Sequence, residues 1–169
     1  MGRPVRRSPA PDRGPGFPAA LLATARTNIA AHRIHITAVG GDADHLPFAY
    51  TAGLTPFYLP ELWCSALGGL AQVGAVLNAA AAAAFDAVED GGLREGLLEL
   101  DYSVPFKVRH VRTDAARVNL TRALYPHAVL LVSQVLWPDV DGRYPDERAY
   151  DRARFPQDLL PLHRSSVPG

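Results

Sequence analysis

The stretch FAYTAGLTPFYLPEL, Phe48 to Leu62, constrains what this chain can fold into more than any other. It places Phe48, Tyr50, Phe57 and Tyr58 beside Thr51 and a single carboxylate, Glu61, in a strand, a turn and a second strand. Aromatic rings drive burial, and a polar group buried with them needs a partner or costs roughly 1–3 kcal/mol. Two arrangements satisfy that demand. In one, Tyr50, Thr51 and Glu61 line a ligand pocket, Gly53 lets backbone approach closely, and Glu61 serves as general acid or base. In the other, Tyr50 is a core aromatic with its hydroxyl on the backbone, and Glu61 pins the turn at Pro60.

The elements around this stretch follow from periodicity. Leu21, Leu22, Ala25 and Ile29 recur at helical spacing after Pro18, which predicts a helix to Ala31. Ile34, Ile36 and Ala38 alternate with His35 and Thr37, the pattern of a half-buried strand. Strands are predicted over Phe48–Leu54 and Glu61–Ala66, with Leu62 and Cys64 facing away from Trp63 and Ser65. A long helix follows from Leu70 to Val88, with a stripe of Leu70, Val73, Leu77, Ala81, Ala84 and Val88 that ends before Gly91-Gly92. Leu97–Tyr102 and Phe106–Thr113 read as paired strands. Asp114 is placed to cap a short helix through Leu124. His127–Trp137 contains AVLLVSQVLW, a mostly apolar run expected in the middle of a sheet, and Gln157–Leu162 forms an apolar patch able to dock back.

This order of helices and adjacent strands predicts a single α+β domain, residues 18–163, with a largely antiparallel sheet and helices packed on it. The segments 1–17 and 164–169 read as flexible tails, because the first is rich in Pro, Gly and Arg with little apolar surface. At 169 residues, the chain is long enough for one core. Lys+Arg and Asp+Glu both number 17, so no net charge draws the chain to nucleic acid or to an anionic membrane. A lone cysteine, Cys64, rules out an internal disulfide and fits a reducing compartment. No apolar run can span a bilayer and no secretion signal follows Arg3, Arg6 and Arg7, so a cytoplasmic location is expected.

The second chemically rich stretch is QVLWPDVDGRYP, Gln134 to Pro145. Asp139 and Asp141 precede Gly142 as acidic residues of a calcium loop do, but further ligands are missing, and an Asx-type turn with Arg143 on a carboxylate fits better. No spacing among the histidines supports a metal set, and none is expected. Cys64 sits on a core strand with nothing to activate it, so it reads as a small buried residue. Lys107, Arg109, His110 and Arg112 make one strand basic, with Arg117 and Arg122 on the next helix. That pattern suits either a solvated, charge-guarded strand or a surface for an anionic ligand.

Together, "YTxGL…PEL" from Tyr50 to Leu62 and the later Gln134, Pro138, Asp139, Gly142, Arg143, Pro145 and Gln157 resemble a bacterial family, domain of unknown function 4262. The resemblance runs from about His32 to Leu160, and it implies no particular reaction. A tryptophan expected just after the last of those prolines is replaced here by Asp146. The functional expectation is therefore a pocket protein, whether or not an enzyme, acting on a small polar or anionic metabolite. Its candidate catalytic residues are Glu61, Tyr50 and Asp139, and its candidate ligand-binding residues are Thr51, Gly53, His35, Trp137, Arg143 and Gln157. No nucleotide or flavin fingerprint names a cofactor. The rival expectation is a non-catalytic module that holds another protein, and homo-oligomerisation is left open.

Overall fold

Residues 17–65 and 69–163 are described by a computed structural model. The tails predicted at either end lie outside them, apart from Phe17, which packs against a core cluster. Six strands form one sheet in the order β1-β2-β3-β6-β5-β4. They are β1 (His35–Val39), β2 (Phe48–Ala52), β3 (Glu61–Ser65), β4 (Gly96–Leu98), β5 (Phe106–Val111) and β6 (Val132–Leu136). Every neighbouring pair is antiparallel except β3 and β6, which run parallel with Glu61 opposite Val132 and Trp63 opposite Gln134. The fold is α+β with a mostly antiparallel sheet, as the alternation of elements predicts.

The sheet buries both faces. Leu62, Cys64, Ala49, Phe106, Val135 and Trp137 meet the stripe Val73, Val76, Leu77, Ala80, Ala81 and Ala84 of helix α2 (Leu70–Asp86). The opposite face carries Phe48, Tyr50, Trp63, Val111 and Val132, covered by Ala25 of helix α1 (Ala19–His32) and Leu120 of helix α3 (Asn119–Leu124). Cys64 is wholly buried in the first core, where it accepts a 3.0 Å bond from the Trp137 indole N–H. Burial pushes its thiol up to about 12, so it is a packing residue with no thiolate near neutrality.

Several boundaries differ from the sequence reading. β6 begins at Val132 rather than His127, because Tyr125–Leu131 is a loop. α3 begins at Asn119 without a side-chain cap, and Asp114 instead pairs with Arg112. β4 ends at Leu98, short of Tyr102. Of the α1 stripe only Ala25 is buried, Leu70 at the start of α2 is exposed, and α2 ends at Asp86, leaving Val88 exposed in a short 3₁₀ turn beyond it. Arg109 on the basic strand is buried rather than solvated, and Lys107 pairs with Asp146 at 2.8 Å.

The short β4 leaves one end of β5 without a neighbour, and the segment Gln157–His163 fills that place. Arg112 N donates to Pro161 O, His163 N donates to His110 O, and Val111 bridges Leu162. Two glutamines fasten this strap. Gln157 accepts from Trp137 N at 2.9 Å and returns an amide N–H to Trp137 O at 2.9 Å. Gln134, fully buried on β6, donates to Asp158 O at 2.6 Å and accepts from Leu160 N at 3.1 Å. Each primary amide thus supplies a donor and an acceptor to the backbone of a remote segment, as a paired strand would.

Gln157→Ala removes both partners of the Trp137 backbone. Because each buried group left unpaired costs about 1–3 kcal/mol, the urea midpoint should fall clearly. Amide exchange at Leu160 and His163 should accelerate more than exchange in β2 and β3. Equal acceleration throughout would mean that the strap is not a separate unit.

Candidate functional site: a caged carboxylate beside an apolar cavity

Glu61 opens β3 with no exposed surface, and a continuous run of donors surrounds its carboxylate. Oε1 accepts from Gly53 N at 3.1 Å, Leu54 N at 3.1 Å, Thr55 N at 2.9 Å and Thr55 Oγ1 at 2.7 Å. Oε2 accepts from Thr51 Oγ1 at 2.7 Å, and that hydroxyl in turn accepts from Leu62 N at 2.8 Å. Successive backbone N–H groups converging on one oxygen form the concavity that proteins use for anions. Here its occupant is a side chain of the same chain.

Local sequence makes the concavity. Gly53 holds φ +132, and a Cβ at that position would lie 2.3 Å from Arg33 O, so glycine is required twice over. Thr55–Phe57 then closes a short 3₁₀ turn with Pro56 in its first turn, and Tyr58 ends it at φ 60. Tyr58 is left 93% exposed, a bulky residue in the left-handed region on the outside of the molecule.

Burial without a cation raises the Glu61 carboxyl pKa, while hydrogen bonds from Thr51, Thr55 and Gly53 pull it down; burial wins. The nearby Tyr125 phenol is raised as well, by its own burial first and then by the Glu61 charge. What the turn requires is an acceptor at this place more than a charge.

Beside the cage lies a cavity of about 580 Å³. One wall is the turn, contributing Thr55, Pro56, Tyr58 and Leu59; the other is the α3–β6 loop, contributing Tyr125, Ala128, Val129 and Leu131. Both walls are tied to the cage. Phe57 N and Leu59 N donate to Leu54 O, Glu61 N donates to Leu131 O at 2.9 Å, and Thr113 Oγ1 donates to Leu130 O at 2.8 Å. The volume lies in the range of small-molecule sites, and the lining is largely aliphatic and aromatic.

The residues singled out in the sequence fall into separate groups. Glu61, Thr51 and Gly53 meet in the cage. Tyr50 lies in the second core, paired with Trp63, where its Oη accepts from Leu120 N at 3.1 Å instead of joining the cage, and burial raises its pKa. Asp139 accepts from Asp141 N and Arg143 N on Oδ1 and from Asp151 N on Oδ2. Burial opposes ionisation of that carboxyl, but the N–H groups of Arg143, Asp151 and Asp141 outweigh it and hold the pKa low. Arg143 reaches Asp141 at 2.9 Å, while Gln157 belongs to the strap and Trp137 is the backbone it holds. His35 sits apart in a shallow cleft, bonded to Asn28 at 2.9 Å and lowered in pKa by burial. Among the described residues no three of His, Cys, Asp and Glu gather as a metal site would. The sequence reading missed Tyr125, Ala128, Val129 and Leu131, because the apolar run after His127 reads as one strand; the Tyr125-Pro126 pair was the available sign of a loop.

Glu61→Ala should cost about 3 kcal/mol or more, since several buried donors lose their acceptor at about 1–3 kcal/mol each. Glu61→Gln keeps an oxygen for those donors and should stay within about 1 kcal/mol of the parent at low pH. The pH dependence follows from the raised pKa. A folded-state value above that of the unfolded chain, about 4.3, means that the fold holds the proton more tightly. That stability is complete below the unfolded pKa and is lost as pH rises through the folded one. Urea unfolding across pH should show the parent losing stability relative to Glu61→Gln as pH rises; the opposite trend would mean that the cage is built for the charge.

No curated protein and no solved structure matches the chain. A family model described as "Domain of unknown function (DUF4262)" matches residues 28–151, which take in the cage, the cavity walls and the Asp139 loop. The chain belongs to that family.

Proposed function

We propose that this protein binds a small molecule with an apolar or aromatic body in the cavity between the Thr55–Leu59 turn and the Tyr125–Leu131 loop. The observation that carries the reading is an apolar concavity of about 580 Å³ whose two walls are fastened to one buried residue, Glu61, by its carboxylate on one side and its backbone N–H on the other. Such a site needs little ordering when a ligand enters, and so loses little affinity to entropy. Glu61 is read as a positioning residue that sets one wall. Every donor around it belongs to the protein, and with no exposed surface its carboxylate presents no oxygen to the cavity. Tyr50 and Asp139, bonded to backbone away from the cavity, are not assigned to it.

A second reading is favoured by one feature. Tyr58 is 93% exposed and Val129 is 86% exposed, one on each wall of the cavity. Exposed apolar residues around a concavity also suit a partner protein that inserts a side chain there.

Titration with the neutral dye Nile red tests the first reading. Fluorescence should rise to saturation at one dye per chain, and Ala128→Trp, which fills the cavity from a half-buried position, should weaken binding at least tenfold while leaving the circular dichroism unchanged. A failure of the dye to saturate, or equal binding by Ala128→Trp, would overturn the small-molecule reading and leave the partner reading in its place.

A further inference from the structure

The cavity has a neighbour. Tyr58 and Leu131 also wall a second cavity of about 230 Å³, whose other side carries His110 and His163. His163 in turn borders an open cleft with Arg112 and Arg122. Polarity therefore changes in one direction, from aliphatic walls, past two imidazoles, to guanidinium groups.

The polar end has donors to offer. The His110 ring is held through Nδ1 by Ser133 Oγ at 2.8 Å, which fixes the orientation of its other nitrogen. Arg112 is committed to Asp114. Arg122 has no carboxylate partner among the described residues and carries the uncompensated positive charge of the cleft.

Resting on the reading of the large cavity as a ligand site, we propose that the natural ligand is an amphipathic monoanion. Its apolar body occupies the large cavity and its carboxylate-like head lies beyond Tyr58 and Leu131, at His163 and Arg122. Charge complementarity chooses this occupant over a purely apolar molecule, which would leave the basic end unused. The separation of apolar and basic ends chooses it over a small inorganic anion, which would leave the large cavity unused. Exposed Tyr58 then acts as the ridge that the ligand crosses, and its outward placement keeps the crossing open.

Calorimetric titration of the full chain with decanoate, with decanol and with phosphatidylglycerol vesicles tests this. Decanoate should bind one per chain, at least tenfold more tightly than decanol. Arg122→Gln combined with His163→Gln should abolish that preference while leaving decanol binding as it was, and Ala128→Trp should weaken both ligands. Both altered residues of the double variant are exposed, so the fold should tolerate it. Equal affinity for decanoate and decanol, or a preference that survives the double variant, overturns the proposal while leaving the cavity reading intact. Failure of decanoate, decanol and Nile red alike overturns both. Binding to vesicles but not to monomeric decanoate overturns the proposal in favour of a membrane surface.

Discussion

A single buried carboxylate joins three pieces of chain that would otherwise have no fixed relation. Through its side chain Glu61 holds the end of β2 and the whole turn from Gly53 to Thr55. Through its backbone N–H it holds the loop that leads into β6, and from the same position it begins β3. A backbone concavity of this kind is general-purpose: filled by phosphate it becomes a nucleotide site, filled from within it becomes a clamp. This chain has taken the second course. The result is a turn stiff enough to hold Tyr58 in a conformation that non-glycine residues seldom adopt.

The same economy recurs at the other end of the sheet. Where Glu61 offers acceptors to a turn, Gln134 and Gln157 offer a donor and an acceptor each to extended backbone. Polar side chains in both places do what main-chain pairing does elsewhere, and the hydrogen bonds offset much of the cost of burying them. Arg33 offers a third variation. In left-handed conformation at the end of α1, it lays its guanidinium 3.6 Å from the centre of the Phe85 ring and so fastens the end of α1 to α2 at the surface.

Much of this was legible from residue patterns. Ile34 and Ile36 and the spacing of Val73, Leu77, Ala81 and Ala84 report burial directly, because they meet the first core, while Ala38 in the same alternation is exposed. The cage was half legible. A lone Glu near Thr51 and Gly53 announces a polar group that needs partners, but which atoms supply them depends on a φ that only the folded turn reveals. The cavity was not legible, since Val129 and Leu131 are as apolar as the strand they precede. Periodicity cannot separate residues that face a cavity from residues that face a core. Nor did it show that Tyr50 and Glu61, close in sequence, take different partners, Leu120 for one and the turn for the other. α1 misled in the opposite sense, because its apolar residues cover the edge of the sheet and only Ala25 is enclosed.

The placement of β6 has a consequence for how the protein is made. β6 lies between β3 and β5, yet the partners of its Gln134 amide and of the adjoining Trp137 backbone come from residues 157–160. A ribosome delivers the strand first and its partners afterwards. While the chain ends anywhere before Gln157, the middle of the sheet carries polar groups with nothing to bind except water, and the second core cannot dry. The β1–β3 meander can form as it emerges, since its pairings are local. The far end of β5 waits for the strap, so in the interval the nascent chain offers an open strand edge to any chaperone that recognises it.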